Sequence, residues 1–237
     1  MRGDLAEWSN LLLADVRFGQ NIKVMTSQLA ENVPRKVFYR FSSNTKKAFW
    51  TNMYNAYYIL LTKRYNKPAK YFLDEKCVRI ARHNLTLNEI ERDILGGYRS
   101  TGISKGYFRK SKVHDHVKKL AVNEYDHRVH YALCRSVVDG PEIIPYHRKV
   151  IDKQLNYAAG LYLELNIDFD HDNKTVVLPL FMKEYYYAIG GKKAIVELVY
   201  ECMDAEIDGY KFFYKDFDKE EDIIRYADDY RLAHFMK

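Results

Sequence analysis

Cysteine is scarce in this chain. Three stand in 237 residues, Cys77, Cys134 and Cys202, far apart and odd in number. With no CxxC pair, neither a disulfide framework nor a cysteine-based zinc site is expected, and reduced thiols are the simplest reading. Long apolar runs are also missing: nothing approaches the roughly 20 residues of a membrane helix. The opening Met1-Arg2-Gly3-Asp4-Leu5 lacks the apolar core of a signal peptide. A soluble protein is therefore expected. Neither GxGxxG, a P-loop nor GxSxG occurs, which leaves nucleotide binding and serine hydrolysis without motif support. No repeat and no flexible linker divides the chain.

What is present suits an ordinary globular domain. Apolar residues make up 47% and charged residues 30%, enough for a substantial core. The net charge of +6 is unevenly spread: residues 1–120 carry 23 Lys and Arg against 10 Asp and Glu, and residues 121–237 carry 15 against 22. Such halves usually meet inside one fold and neutralise each other, although a basic half also attracts acidic partners. The strongest basic patch, Arg99 to Lys119, lies near Tyr98, Tyr107 and Phe108 but belongs to no recognised nucleic-acid motif, so nucleic acid is not expected as a partner.

Hydrophobic spacing predicts two short helices over Leu5–Leu29, broken near Phe18-Gly19-Gln20, and a central helix from Ser43 or Asn44 to about Tyr65. The central helix is apolar on most of its circumference, and it carries Asn52 and Asn55 three residues apart on one face. Val78–Ala81 alternates as a strand. Thr86 and Glu89 form a capping box at the next helix entry, leaving Glu91 without a local duty, and Gly96-Gly97 ends that helix. A buried strand is predicted over 129–134, a helix over Tyr146–Leu163, a hairpin around Asp170–Asn173, and helices over Pro179–Ile189 and Lys192–Met203. A strand near Tyr210–Tyr214 and a final helix complete an α+β fold, mostly helical around a small sheet. Its expected parts are a helical segment over 1–39, a core over 40–203 and an acidic, aromatic extension over 204–237.

The sharpest feature is Asp126-His127-Arg128-Val129-His130-Tyr131-Ala132-Leu133-Cys134, followed by Gly140-Pro141. A thiol and an imidazole four residues apart are either a nucleophile and its base or two buried side chains. In one extended strand they would lie about 13 Å apart, at roughly 3.3 Å per residue, too far for a direct pair. Only a bend before Cys134, or His147 or His127 folded beside it, would make a dyad. The competing reading for Cys134 is a small buried hydrophobe.

These segments jointly resemble the DUF547 family, whose pattern runs F-W-x-N-x-Y-N-A, then L-x-L-x-x-I-E-x-x-I-L, then R-x-H-F-A-L-x-C-G. Here the matches are Phe49 to Ala56, Leu85 to Leu95 and Arg128 to Cys134, followed by Pro141 and Tyr146. Pro179 to Gly191 is similar to a later family run through Tyr185, Gly190 and Gly191. The resemblance implies a shared fold and a shared site but names no reaction. This chain departs from the pattern at Arg135, Asp139, Gly96, Ala188 and Ile189.

The resemblance joins Glu91, His130, Asn52 and Asn55 in one polar pocket. There Glu91 orients His130 as a base, Cys134 is the conditional nucleophile, and Asn52, Asn55, Trp50, Arg128 and Tyr146 contact substrate. The expected function is a hydrolase- or transferase-like pocket acting on a small molecule or peptide, without cofactor or metal. The alternative is a non-catalytic binding module with a degenerate site, its contact surface furnished by 21 tyrosines. A buried network that merely specifies the fold is the plain structural reading. His114-Asp115-His116 sits in a segment that reads as helical, where the two imidazoles point apart, and Asp168-x-Asp170-x-Asp172 lacks the glycine and glutamate of a calcium loop. The basic 99–119 segment is expected to be a lid over the pocket or a docking face.

Overall fold

The computed structural model describes residues 4–67, 69–97, 115–135 and 141–215. The basic stretch 98–114, Asp139 and the expected final helix lie outside the described residues.

The fold is α+β. Helix α1 (Leu5–Arg17) starts at Asp4, whose carboxylate accepts from the Ala6 N–H at 3.1 Å. It is followed by α2 (Lys23–Glu31), α3 (Arg35–Tyr39) and α4 (Ser43–Tyr65). Ser42, one residue ahead of the expected caps, opens α4 by accepting from the Thr45 N–H, and Asn66 closes it in the left-handed region. Every residue of α4 from Thr45 to Ile59 is buried. That is why its sequence shows so little amphipathic contrast: α1, the 69–72 turn, the 89–95 segment and the 151–166 helix all pack against it. Phe38, Phe49 and Trp50 meet here at tilted or edge-on angles, the rings of Phe49 and Trp50 crossing at 88° with centroids 5.0 Å apart.

Burying α4 also buries two lysines, and each finds a partner from the acidic half of the chain or its backbone. Lys47 Nζ meets Asp126 Oδ2 at 2.9 Å, while Lys46 Nζ donates to the Ala121 carbonyl at 2.6 Å. Burial pushes the Lys46 pKa down.

Strands β1 (Val78–Ile80) and β2 (His83–Leu85) form a tight hairpin, Ile80 opposite His83. Its two turn residues, Ala81 and Arg82, both have positive φ, +48° and +61°. Their N–H groups donate to the Leu29 and Ala30 carbonyls at the end of α2, and Arg35 Nε donates to the Ala81 carbonyl. The capping box then forms reciprocally: Glu89 N–H to Thr86 Oγ1 at 2.9 Å and Thr86 N–H to Glu89 Oε2 at 2.8 Å. The helix it opens is not an α-helix. Glu89–Leu95 is a π-helix, closed by the Gly96 N–H donating five residues back to the Glu91 carbonyl at 2.9 Å. A Cβ at Gly96 would collide with the Arg92 carbonyl, so this close requires glycine.

After α5 (Asp115–Leu120) comes the main correction. Residues 129–134 are not a strand: His127–Tyr131 is a 3₁₀-helix, and Ala132 to Arg135 continue without regular structure. Asp126 turns the chain by accepting from the Arg128 N–H at 3.1 Å. Because Val129 to Cys134 are all at most 1% exposed, apolar content alone could not separate strand from tight helix.

Helix α6 (Ile151–Asn166) starts five residues later than expected, because the Gln154 side chain bridges the Pro145 carbonyl and the His147 N–H and holds that approach as a turn. Strands β3 (Asp168–Asp170) and β4 (Thr175–Pro179) form the anticipated hairpin, and β5 (Lys211–Lys215) adds to β4 in parallel. The intervening chain makes α7 (Leu180–Glu184), α8 (Tyr186–Ile189) and α9 (Gly191–Met203), so the expected single helix over 179–189 is split at Tyr185. Gly190, at φ +114°, turns α8 into α9. Two hydrophobic clusters result, one around α4 and one joining Tyr131 to α6, α7, α9 and the three-stranded sheet. Among the described residues no helix is long and apolar enough to cross a membrane.

Candidate active site

Glu91 is the hub. The wider turn of the π-helix carries its side chain inward, where only 7% of it is exposed. Four groups surround the carboxylate. His130 Nδ1 lies 3.4 Å from Oε1, and Arg135 Nη2 lies 3.2 Å from the same oxygen. The Tyr185 hydroxyl donates to Oε1 at 3.4 Å and the Tyr54 hydroxyl to Oε2 at 3.5 Å. These groups come from the 3₁₀-helix, the segment after it, the α7–α8 junction and α4, so the site is a meeting point of the two clusters.

The electrostatics follow from that crowd. Burial alone would raise the Glu91 pKa, but the Arg135 charge and the His130 contact outweigh it and hold the carboxyl at about 2. Glu91 is therefore ionised at neutral pH and can only accept hydrogen bonds. The Tyr54 pKa is pushed up by burial and by the Glu91 charge, so that phenol remains a donor.

His130 is 1% exposed, and its ring lies against that of Tyr185 with centroids 4.0 Å apart. Among the described residues neither ring nitrogen has a partner in hydrogen-bond geometry, although Nδ1 is within ion-pair distance of Glu91. An anion at that distance favours the tautomer with its proton on Nδ1, which leaves a bare lone pair on Nε2.

Cys134 is 1% exposed and is held by its backbone. Its N–H donates to Asn55 Oδ1 at 2.7 Å, while Asn55 Nδ2 donates to the Ala132 carbonyl at 3.0 Å. Burial pushes the thiol pKa far up, opposed only by the Arg135 charge. The thiol is therefore protonated at neutral pH.

Asn52 is committed in the same way to another loop. Its Oδ1 accepts from the Tyr146 N–H at 2.8 Å, and its Nδ2 lies 2.8 Å from the Tyr146 carbonyl and 2.5 Å from Asn10 Oδ1. The two amides seen as a pair in the sequence thus pin two separate loops to α4. Trp50 is wholly buried in the aromatic cluster. Arg128 forks onto Asp126, with Nε to Oδ1 at 2.9 Å and Nη2 to Oδ2 at 2.7 Å, and reaches Asp152 and Asn156. Glu91 and His130 are brought together, whereas the hydrogen bonds of Asn52, Asn55 and Arg128 go to other partners.

Three contributors escaped sequence reasoning. Arg135 was visible only as a departure from a Cys-Gly pair, yet it supplies the charge that balances Glu91. Tyr54 and Tyr185 stand inside the family motifs with no signal separating them from core tyrosines. Among the described residues, no group of three or more His, Cys, Asp or Glu side chains gathers to hold a metal ion.

The protein is an α+β frame that buries a carboxylate–imidazole pair. The family model of DUF547, protein of unknown function, matches residues 38–163, and the chain belongs to that family. The match takes in α4, the π-helix and the 3₁₀-helix, and so Glu91, His130 and Cys134. It stops before Tyr185 and the Pro179–Gly191 run. No curated protein and no solved structure matches the chain.

Proposed function

We propose that this protein carries a hydrolase- or transferase-like site in which Glu91 orients His130 and His130 Nε2 is the general base. One observation carries the reading: a buried imidazole with Nδ1 3.4 Å from an ionised carboxylate and Nε2 without a hydrogen-bond partner among the described residues. Buried polar nitrogens are usually satisfied, so one left over beside an ionised carboxylate supports a role in meeting a molecule from outside.

In the proposed step Nε2 takes a proton from water, or from an acceptor hydroxyl in a transfer. The freed oxygen pair bonds to the electrophilic centre, and the imidazolium returns the proton to the leaving group. Asn52 and Asn55 act as positioning residues for the 145–147 and 132–134 segments. A protonated, backbone-clamped Cys134 favours water or hydroxyl over the thiol as nucleophile.

The test is a screen of chromogenic esters, amides and phosphoesters, run with and without acceptor alcohols, on the wild type, His130→Gln and Cys134→Ala. Turnover lost in His130→Gln and retained in Cys134→Ala is expected. Turnover that survives His130→Gln sinks the proposal. The second reading is a non-catalytic binding module, favoured by the Arg135 charge already set against Glu91. It predicts no turnover by any of the three proteins.

A further inference from the structure

The site has a second orphan. The hydroxyl oxygen of Tyr125 is buried and has no hydrogen-bond partner among the described residues, and its ring lies 5.9 Å from that of His130 at a 54° tilt. Tyr125 precedes the 3₁₀-helix that carries His130, so the short Asp126 turn fixes the two side chains relative to each other. The same hydroxyl lies within electrostatic range of Glu91 and Tyr185, both of which also contact His130. A buried hydroxyl costs roughly 1–3 kcal/mol when unpaired. Two such orphans on neighbouring rings, one an acceptor and one a donor, are the pair of groups that an oxygen-bearing ligand would satisfy.

We infer that Tyr125 is a further catalytic residue of this site, donating its hydroxyl hydrogen to the carbonyl oxygen of an uncharged carboxylic ester while His130 Nε2 takes the proton of the attacking water. The inference rests on the general-base reading above and adds the substrate class. Charge selects that class. The formal charges of Glu91 and Arg135 cancel at 3.2 Å, and the neighbouring phenols are neutral. Burial, with Tyr185, Asp126 and Glu91, pushes the Tyr125 pKa up, so its proton stays in place. Among the described residues at the site, a phosphate ester would meet no unbalanced cation, whereas an ester carbonyl brings no charge until the transition state.

The step balances. Water loses a proton to Nε2, its oxygen bonds to the acyl carbon, and the carbonyl π pair moves onto the oxygen held by Tyr125. On collapse the alcohol leaves with the proton from Nε2, giving acid and alcohol with the enzyme unchanged.

The experiment uses 4-nitrophenyl esters from acetate to octanoate, with 4-nitrophenyl phosphate as the contrast, on the full chain, Tyr125→Phe and His130→Gln, with thermal unfolding of each. Tyr125→Phe is expected to lower kcat about 100-fold, as loss of one oxyanion donor does, with KM within threefold. Because the hydroxyl has no partner to lose among the described residues, the Tm of Tyr125→Phe should hold or rise. A wild-type kcat in Tyr125→Phe overturns the inference, and so does a Tm drop of several degrees, which would show the hydroxyl bonded within the protein. If His130→Gln abolishes turnover while Tyr125→Phe does not, only this inference falls. If His130→Gln keeps turnover, the general-base reading falls as well. Phosphate hydrolysis in place of ester hydrolysis, or no ester hydrolysis above the buffer rate, removes the substrate class.

Discussion

Asn55 holds Cys134 by the backbone and leaves its sulfur alone: the amide oxygen accepts from the Cys134 N–H at 2.7 Å while the amide nitrogen reaches back to the Ala132 carbonyl at 3.0 Å. One side chain of α4 thereby imitates a strand partner for a segment that has none among the described residues. This explains how residues 132–134 stay buried without regular structure.

Asn55→Ala removes both bonds and orphans a buried N–H and a buried C=O. At about 1–3 kcal/mol for each unmet group, the loss should be on the order of 3 kcal/mol. Urea denaturation measures it. A loss under about 1 kcal/mol would mean that water replaces the amide and that the clamp is not structural.

The sequence reveals the local rules well and the long-range partners poorly. Thr86 and Glu89 were legible because a capping box is a three-residue device, and α4 was legible because its apolar residues recur at helical spacing. The 129–134 segment was misread because it is buried on every side, which erases the contrast that separates a strand from a 3₁₀ turn. Asn52 and Asn55 could be seen to need partners, but the backbone groups they serve lie 94 and 77–79 residues away. Arg135 looked like a lost glycine, because only the fold shows that a carboxylate 44 residues earlier needs its charge. The π-helix was hidden for a related reason: the sequence marks its start and its glycine but not the extra residue in its turn.

Thiol reactivity separates the roles of the three cysteines. Cys134 is 1% exposed and its pKa is pushed up by burial, whereas Cys77 and Cys202 are only partly buried. Alkylation of the native protein near neutral pH should therefore modify Cys134 last, at a rate limited by unfolding. Peptide mass mapping over time reads the order. Fast, selective labelling of Cys134 would show an activated thiol and reopen cysteine catalysis.

Acid should weaken the fold in two steps. His83 is buried, and burial, Arg35 and His116 lower its pKa to about 4. Between the unfolded value near 6.5 and about 4 the unfolded chain binds the extra proton, so stability falls as pH falls through that window. Glu91, held at about 2, acts lower: its contribution is complete above the unfolded value near 4.5 and is lost as pH drops towards 2. Unfolding free energy against pH should keep the upper step in Glu91→Gln and lose much of the lower one, the remainder coming from Asp126, whose pKa Arg128 and Lys47 also depress against its burial. An unchanged lower step in Glu91→Gln would show that the carboxylate is not held in this way.

The hairpin turn offers a gain in stability. A two-residue turn with both central residues at positive φ suits asparagine and glycine, yet Ala81 and Arg82 occupy it at +48° and +61°. They are held there by the Leu29 and Ala30 carbonyls and by Arg35. A residue with a Cβ in this region costs about 1–2 kcal/mol. Arg82 is the safer one to change, since its side chain is 72% exposed and its nearest anion, Glu31, is 3.9 Å away and also serves Arg79 at 2.7 Å. The Arg82 N–H bond to Ala30 survives in glycine. Against the relieved strain stands the greater freedom of glycine in the unfolded chain, so Arg82→Gly should stabilise by about 0.5–1 kcal/mol. A rise in urea midpoint at constant slope is the expected reading. A fall would mean that the Arg82 side chain contributes more than its exposed contacts with Glu31 suggest.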